Sequence, residues 1–339
     1  MKSPILSFAV IVTLSLGALN AAYAGSATWN ANPVDNDWSN PGNWTPATIP
    51  NGPADTATFG VSSRTNVFIR APIEVNSIVF TPGASAFTVT TRPTREIMLT
   101  VSGAGITNDS GITQNFVTSA DENGSSTIIF TGFATAGNGT VLTNNGGPEL
   151  YVSGNTYFYD NASAGSAVVV NNSGYWGAQT IFYDNSTAAD ATLIANGASP
   201  PDVFGGSVWF ESPNAGNATL IANGGENNGG FIFLKGGGSN TARVELYDQG
   251  FLITGSNSDS AVGSIEGDGG ITLAVTYNLS VGNNLSTVFS GVIQDDTPPY
   301  VESFSVTGQI RPTLGAPLRR LALADSHLQV RILTVAEQG

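Results

Sequence analysis

The sequence predicts an all-β fold, a solenoid whose coils are about 24–27 residues long. The first observation is a phrase of a small residue, a short aliphatic run and Asn, which recurs with starts 27, 24 and 27 residues apart. The second is an aromatic phrase that ends in Asp or Glu and keeps step with the first. The third is that no window combines a helical period with helix caps. A period of this size, built from β-rich runs between Gly and Asn, is typical of coils that stack. The aliphatic phrase occupies residues 140–144, 167–171, 191–196 and 218–223, and the aromatic phrase 157–160, 181–184 and 208–211.

Stacked coils place equivalent residues about 4.8 Å apart, so each position of the repeat predicts a column of side chains. Two inward columns are expected, together with a ladder of Asn side chains at a turn, where Asn tolerates a left-handed backbone. A β-propeller with short blades is the alternative, although blades are usually longer and carry four strands. The predicted columns are Leu142, Val169, Leu193 and Leu220, then Phe158, Phe182 and Trp209, and the ladder is Asn144, Asn171, Asn196 and Asn223.

Residues 1–24 have the features of a signal peptide. Lys2 gives a positive start, residues 5–19 are mostly apolar, and Ala22-Tyr23-Ala24 supplies the small-x-small pattern that signal peptidase cleaves. A membrane anchor is the alternative, but the apolar run is short for a membrane span. We therefore expect an exported chain, cleaved after Ala24, with no membrane-spanning segment once the signal is removed.

Composition narrows the class of protein further. The net charge is −14 and only 11% of residues are charged, which argues against a nucleic-acid partner, because such partners need clustered Lys and Arg. The same charge argues against an anionic membrane surface. With no cysteine, the chain has no disulfides and no thiolate chemistry. No cofactor is expected.

The chain divides into three further units after the signal. Residues 25–60 form a Trp-rich N-terminal cap or first coil, with Trp29, Trp38 and Trp44. These tryptophans cover the open end of the solenoid in the favoured interpretation, and they form a sugar-binding platform in the alternative. Residues 61–294 are predicted to be β-helix coils. Residues 295–339 lose the Asn-Gly rhythm and are an atypical tail or cap. They form a short closing helix or strand, or a poorly ordered segment, or they result from a shifted reading frame.

Several stretches resemble the coils of bacterial autotransporter-type passenger domains, relatives of the autotransporter-associated β-strand repeat. They are residues 184–193, 214–223 and 279–293, and the opening tryptophans followed by residues 55–59. The resemblance implies a single-stranded right-handed parallel β-helix, displayed or secreted by a Gram-negative bacterium, with a role in adhesion, aggregation or surface contact. The Gly-Thr-Gly-Thr-Leu type of repeat expected after Ile293 is absent, and the residues that follow are too few for a membrane barrel.

One carboxylate set is the main candidate for chemistry. Asp160, Asp184 and Glu211 end successive aromatic phrases, so they are expected to stack one coil apart. Stacked carboxylates repel one another unless they are solvated or bridged by a cation. They therefore indicate either a Ca²⁺ ladder or acid–base pair, or an exposed strand end where acidic side chains face water. The second interpretation is favoured.

Two weaker candidates lie later in the chain. Residues 265–270 have the composition of one calcium-binding repeat, but a turn explains them equally well. Asp295, Asp296, His327 and Arg331 follow the residue order of a galacturonase site outside the repeating coils, where no rigid scaffold holds them. No catalytic, cofactor-binding or metal residue is therefore predicted.

The sequence thus favours a non-catalytic exported surface or secreted β-helix with an adhesive or structural role. Its expected partners are surface glycans or a host or neighbouring cell surface, and its expected location is extracellular or at the outer membrane, or periplasmic without a translocator. The alternative is a carbohydrate-active β-helix, a lyase or hydrolase with a site on an acidic face. Lys235 and Arg243 are the basic residues of the central coils, which makes such a site hard to build. Specificity is expected where the rhythm breaks, in the Trp-rich start, the turn 197–206 and the tail.

Overall fold

A computed structural model describes residues 25–93, 97–211, 214–235, 237–255, 259–273, 279–282, 287–295, 304–306 and 331–332. The predicted signal peptide, Asp296 and His327 lie outside these ranges, as does most of the predicted tail. Among the described residues, no helix is long and apolar enough to cross a membrane.

The described chain is an all-β solenoid of about nine turns, as the sequence predicts. Each coil contributes one strand to each of two sheets of parallel strands. Odd-numbered strands pair in sheet 1 and even-numbered strands in sheet 2, except that β2 ends sheet 1 and β25 ends sheet 2. The register between successive coils in sheet 2 confirms the period, because Val141 pairs with Val168, Val168 with Thr192, and Thr192 with Thr219. The handedness of the coil stays a prediction.

Most strands are four or five residues long, and one short 3₁₀ turn, Pro41–Asn43, precedes the second. Sheet 1 contains β1 (Ala27–Trp29), β2 (Trp44–Thr45), β3 (Gly52–Phe59), β5 (Ile73–Phe80), β7 (Ile97–Asn108), β9 (Ser126–Phe130), β11 (Asn155–Phe158), β13 (Gln179–Phe182), β15 (Ser207–Phe210), β17 (Phe231–Leu234), β19 (Phe251–Thr254), β21 (Gly270–Leu273) and β23 (Val292–Asp295). Sheet 2 contains β4 (Asn66–Ile69), β6 (Thr88–Thr91), β8 (Gln114–Thr118), β10 (Thr140–Asn144), β12 (Val168–Asn171), β14 (Thr192–Ala195), β16 (Thr219–Ala222), β18 (Gly237–Leu246), β20 (Ser260–Gly267), β22 (Leu279–Val281), β24 (Phe304–Val306) and β25 (Arg331–Ile332).

The aliphatic column in sheet 2 is confirmed. Leu142, Val169, Leu193 and Leu220 are in register from coil to coil and fully buried. They belong to strands in which buried and half-buried residues alternate, the pattern of a sheet with one face on the core and one outside.

The aromatic column predicted for sheet 1 is wrong at its last member. Phe182 pairs with Phe210, not Trp209, and Trp209 pairs with Ile181 on the outer face. The phenylalanine rings stack almost flat, 4.7 Å apart between Phe158 and Phe182 and 4.9 Å between Phe182 and Phe210. Aligning Glu211 with Asp184 shifts this coil by one residue from its actual register. Because side chains alternate along a strand, such a shift exchanges inward and outward residues.

The predicted Asn ladder consists of two different columns. Asn144 pairs with Asn171, and the next partner of Asn171 is Ala195, so the inner column contains two asparagines and then alanine. Asn196 and Asn223 belong to an outer column one residue further along, which begins with Asn145 and Asn172.

The N-terminal tryptophans are buried over the end of the core. Trp29, Trp38 and Trp44 are at most 2% exposed and contact Phe59. Each indole N–H donates to a backbone carbonyl, for example Trp38 Nε1 to Pro50 O at 3.0 Å. Strand β2 pairs with β1 in the antiparallel direction and ends sheet 1. Buried rings cannot stack on a sugar, so this arrangement fits a cap and not a platform.

Candidate contact surface: a ridge of aromatic loops

The structure separates the three carboxylates that the sequence places in one column. Asp160 and Asp184 occupy equivalent positions, but Glu211 does not. The N–H of Glu211 donates to Phe182 O, just as that of Tyr183 donates to Phe158 O, so Glu211 is in line with Tyr183. The expected stack of three carboxylates is therefore wrong. The cause is the same one-residue shift in register that places Trp209 on the outer face.

Asp160 and Asp184 bind the backbone of the neighbouring coil. Asp184 Oδ2 accepts the N–H of Asp160 at 3.1 Å, and Asp160 Oδ2 accepts the N–H of Gly132 at 2.9 Å and the hydroxyl of Thr131. Both aspartates have positive φ angles, 55° and 54°, a left-handed conformation that Asp tolerates better than most residues. The hydrogen bonds from Thr131 and Gly132 lower the pKa of the Asp160 carboxyl. These carboxylates therefore join coils at a strand end.

The predicted calcium-like turn, residues 265–270, also belongs to the scaffold. Asp268, from the predicted calcium-like turn, accepts the N–H of Asp248 at 2.8 Å. Glu266, from the same turn, pairs with Arg243, which also contacts Glu245 at 3.0 Å. Among the described residues, no group of three or more His, Asp or Glu side chains is placed to hold a metal ion.

The outer Asn column closes a set of loops between sheet 2 and sheet 1. The backbone carbonyl of each asparagine accepts an N–H from the far end of its own loop, at 2.8 to 2.9 Å. The side-chain amides bond from coil to coil, at 2.9 to 3.0 Å. The loops closed in this way are residues 146–153, 173–177, 197–205 and 224–229. The residue pairs that close them are Asn145 and Gly154, Asn172 and Ala178, Asn196 and Gly206, and Asn223 and Gly230.

Neighbouring loops are also bonded to one another. Gly147 and Trp176 exchange backbone hydrogen bonds of 2.9 and 3.2 Å, and Gly174 accepts from and donates to Phe204 at 3.0 and 3.1 Å. The backbones approach so closely that a Cβ on Gly177 would lie 1.9 Å from Gly205 O. Only glycine fits there, because it has no side chain. The loops therefore form a continuous wall held by hydrogen bonds.

This wall carries a contiguous row of exposed and half-buried aromatic side chains. Tyr151, Trp176 and Phe204 come from three successive loops, and their ring centroids are 4.9 and 5.2 Å apart. Tyr151 is 75% exposed and Phe204 38%. We call the aromatic ridge the set of Leu150, Tyr151, Tyr175, Trp176, Val203 and Phe204, of which all but the half-buried Trp176 are exposed.

An exposed apolar patch of this kind is a candidate contact surface, because isolated apolar residues are common on protein surfaces but contiguous groups are not. The sequence singled out the turn 197–206, which supplies Val203 and Phe204. It missed Tyr151 and Trp176, because the loops differ in length and their aromatic residues fall at different offsets. The signal that could have found them is an aromatic residue in three successive Gly-rich interruptions between Asn and the next strand, 146–153, 173–177 and 197–205.

Comparison of the chain with protein-family models, with curated proteins and with solved structures finds no match.

Proposed function

We propose that this protein is a non-catalytic exported contact protein that adheres to glycan-bearing surfaces through the aromatic ridge. The observation that carries the proposal is the ridge itself, in which exposed rings from three coils are held by loops bonded to one another. Aromatic rings supply a large contact area at a low cost in conformational entropy. Loops that are already ordered lose little further freedom on binding.

Sugars are the proposed partner class because their ring faces are apolar and their edges carry hydroxyl groups. The exposed rings of Tyr151 and Phe204 can contact the apolar faces of the sugar. The Tyr151 hydroxyl and the neighbouring loop backbone can hydrogen-bond to the sugar hydroxyl groups. The net charge of −14 repels anionic polymers at long range, so neutral glycans are favoured over acidic ones. Export is supported by the signal-like residues 1–24.

The alternative, a polysaccharide hydrolase or lyase, has less support. Glycoside hydrolysis needs two carboxyl groups placed about 5–9.5 Å apart on either side of the scissile bond. Asp160 and Asp184, the paired carboxylates of the central coils, accept backbone N–H groups. The hydrogen bonds from Thr131 and Gly132 hold the pKa of the Asp160 carboxyl below its ordinary value, so this carboxylate is a poor general acid.

The experiment is a binding measurement on the secreted chain with an array of neutral and acidic glycans. Trp176→Ala removes the central ring of the ridge, and we expect at least about tenfold weaker binding to the neutral glycans that the wild type retains. The matched control is Phe133→Ala, a ring that is 79% exposed on another turn, and it should bind like the wild type. Equal binding by Trp176→Ala and wild type, or release of sugar products, would overturn the proposal.

A further inference from the structure

The outer face of sheet 1 is another large apolar surface among the described residues. Along the middle of this face, Tyr157, Ile181, Trp209, Phe233 and Ile253 form one unbroken column, each paired in register with the next. Rings from the flanking columns extend it. The Tyr159 and Tyr183 rings stack 4.8 Å apart and the Phe231 and Phe251 rings 5.5 Å apart. We call the aromatic face the outward residues of β9, β11, β13, β15, β17 and β19 together with the residue that follows each strand.

The aromatic face carries almost no charge. Among its outward positions, Glu211 and Lys235 are the charged residues, and they pair at 2.5 Å. Burial raises the pKa of the Tyr157 hydroxyl to about 12 and also raises those of Tyr159 and Tyr183, so the tyrosines stay neutral. In a chain with a net charge of −14, this strip can approach another acidic molecule without bringing unpaired carboxylates together.

The outer face of sheet 2 differs in kind. At the corresponding coils it presents aliphatic and Thr side chains, such as Val168, Ile194 and Ile221, which are half-buried, and it ends at the Arg243, Glu245 and Glu266 cluster. Interfaces are enriched in Tyr, Trp and Phe relative to the rest of a protein surface. The aromatic face is therefore the better candidate for association.

We infer that the aromatic face packs against the same face of a second copy of this chain, with the two solenoids antiparallel. Charge complementarity supports this partner. Glu211 and Lys235 are neighbours in one column, so a two-fold axis passing between them places Glu211 opposite the partner's Lys235. Two sheets that pack face to face lie about 10 Å apart.

The area of the face is consistent with a weak dimer. With the axis between Glu211 and Lys235, strands β13, β15, β17 and β19 face the same four strands of the partner. Four strands about 4.8 Å apart, with three outward positions about 6.7 Å apart on each, cover roughly 390 Å² per copy. The dimer then buries roughly 800 Å² in total, below the range for stable specific interfaces, and dissociation in the high micromolar range is expected. The inference is independent of the proposed function, because no residue of the aromatic ridge belongs to this face.

The test is sedimentation velocity on the full secreted chain from low to high micromolar concentration. The wild type should shift from monomer to dimer. Ile181→Lys places a charge in the central column and should raise the dissociation constant at least about tenfold. The matched control is Ile194→Lys, at a half-buried outward position of sheet 2, and it should dimerise like the wild type. Far-UV circular dichroism checks that both variants are folded.

Three results would overturn the inference. The first is a wild type that stays monomeric up to high micromolar concentration. The second is dimerisation of Ile181→Lys with wild-type affinity. The third is loss of the dimer in Ile194→Lys alone, which would assign association to sheet 2. If the wild type is monomeric and a neutral polysaccharide quenches the fluorescence of Trp176→Ala, in which Trp29, Trp38 and Trp44 are buried and Trp209 is half-buried, the occupant of the face is a glycan and not a second copy.

Discussion

Replacing Asn144 with alanine should destabilise the solenoid strongly, because its amide is the centre of a buried polar network. Asn144 Oδ1 accepts the hydroxyls of Thr118 and Thr156 at 2.7 and 2.8 Å. Its Nδ2 donates to Asn171 Oδ1 at 2.8 Å and to Thr180 Oγ1 at 3.1 Å. All five residues are buried. Removal of the amide leaves two buried hydroxyls without their acceptor, at about 1–3 kcal/mol each, so the free energy of unfolding should fall by about 2–6 kcal/mol.

Asn145 offers a matched control in the adjacent position. It is the same residue type, but its side chain lies in the outer column, where it bonds to Asn172 at 3.0 Å and to Thr118 O at 3.1 Å and is only half-buried. Groups released there can bond to water, so each lost hydrogen bond costs only about 0.5–1.5 kcal/mol. Asn145→Ala should therefore lower the free energy of unfolding by about 1–3 kcal/mol, less than the neighbouring substitution.

The assay is equilibrium unfolding in urea followed by far-UV circular dichroism, with both variants measured beside the wild type. The comparison between the variants is the informative quantity, because it cancels most of the error of extrapolation to water. If Asn145→Ala is as destabilising as Asn144→Ala, the assignment of inner and outer columns is wrong.

Two further predictions concern the same scaffold. The Asp160 carboxyl has a pKa below its ordinary value of 3.8, so its contribution to stability is complete above that pH and is lost as the pH falls through the lower, folded-state pKa. The stability advantage of the wild type over Asp160→Asn should therefore shrink below about pH 4 in acid titrations, and an advantage that grows there would contradict the assignment. Second, Asn171 Nδ2 is buried and finds no partner among the described residues, and Val208 follows Thr180 in the inner column of sheet 1. Val208→Thr should supply the missing acceptor. In urea unfolding it should therefore lower the free energy of unfolding by about 1–3 kcal/mol less than Val169→Thr does, and equal losses would refute this explanation.

The fold could be predicted from sequence because its determinants are local and repeated. Short runs of alternating apolar residues such as 167–171 specify strands, and their recurrence at 24 to 27 residues specifies stacking. Leu142 and Val169 were placed correctly because the aliphatic phrase keeps a constant offset from its strand.

The register of the other columns could not be read from the same repeat. Ile181 and Trp209, which pair in register, are one residue further apart in the sequence than Asp184 and Glu211 are. The additional length of this coil lies in the loop 197–205. Matching the coils at Asp184 and Glu211 therefore exchanged Trp209 and Phe210. Alternation within the strand decides the matter, since it places the ring of Phe210 on the ring of Phe182.

The aromatic ridge could be predicted only in part. The turn 197–206 stands out because it interrupts the repeat, but the neighbouring loops 146–153 and 173–177 are shorter and their aromatic residues fall at different offsets. The contact between Tyr151 and Trp176 depends on antiparallel backbone bonds between loops, and no periodic pattern encodes such bonds. Residues that depend on loop-to-loop contacts are therefore the ones that sequence reasoning misses.

The most direct test of the account compares Trp176→Ala with Asp184→Ala, because it separates the contact surface from the scaffold. Asp184 holds a left-handed turn and accepts the N–H of Asp160, so its replacement should lower the urea midpoint and leave glycan binding by the folded protein intact. Trp176→Ala should lower glycan binding at least about tenfold with a smaller change in the urea midpoint. Loss of binding in folded Asp184→Ala together with full binding by Trp176→Ala would contradict the account and assign the function to the carboxylates.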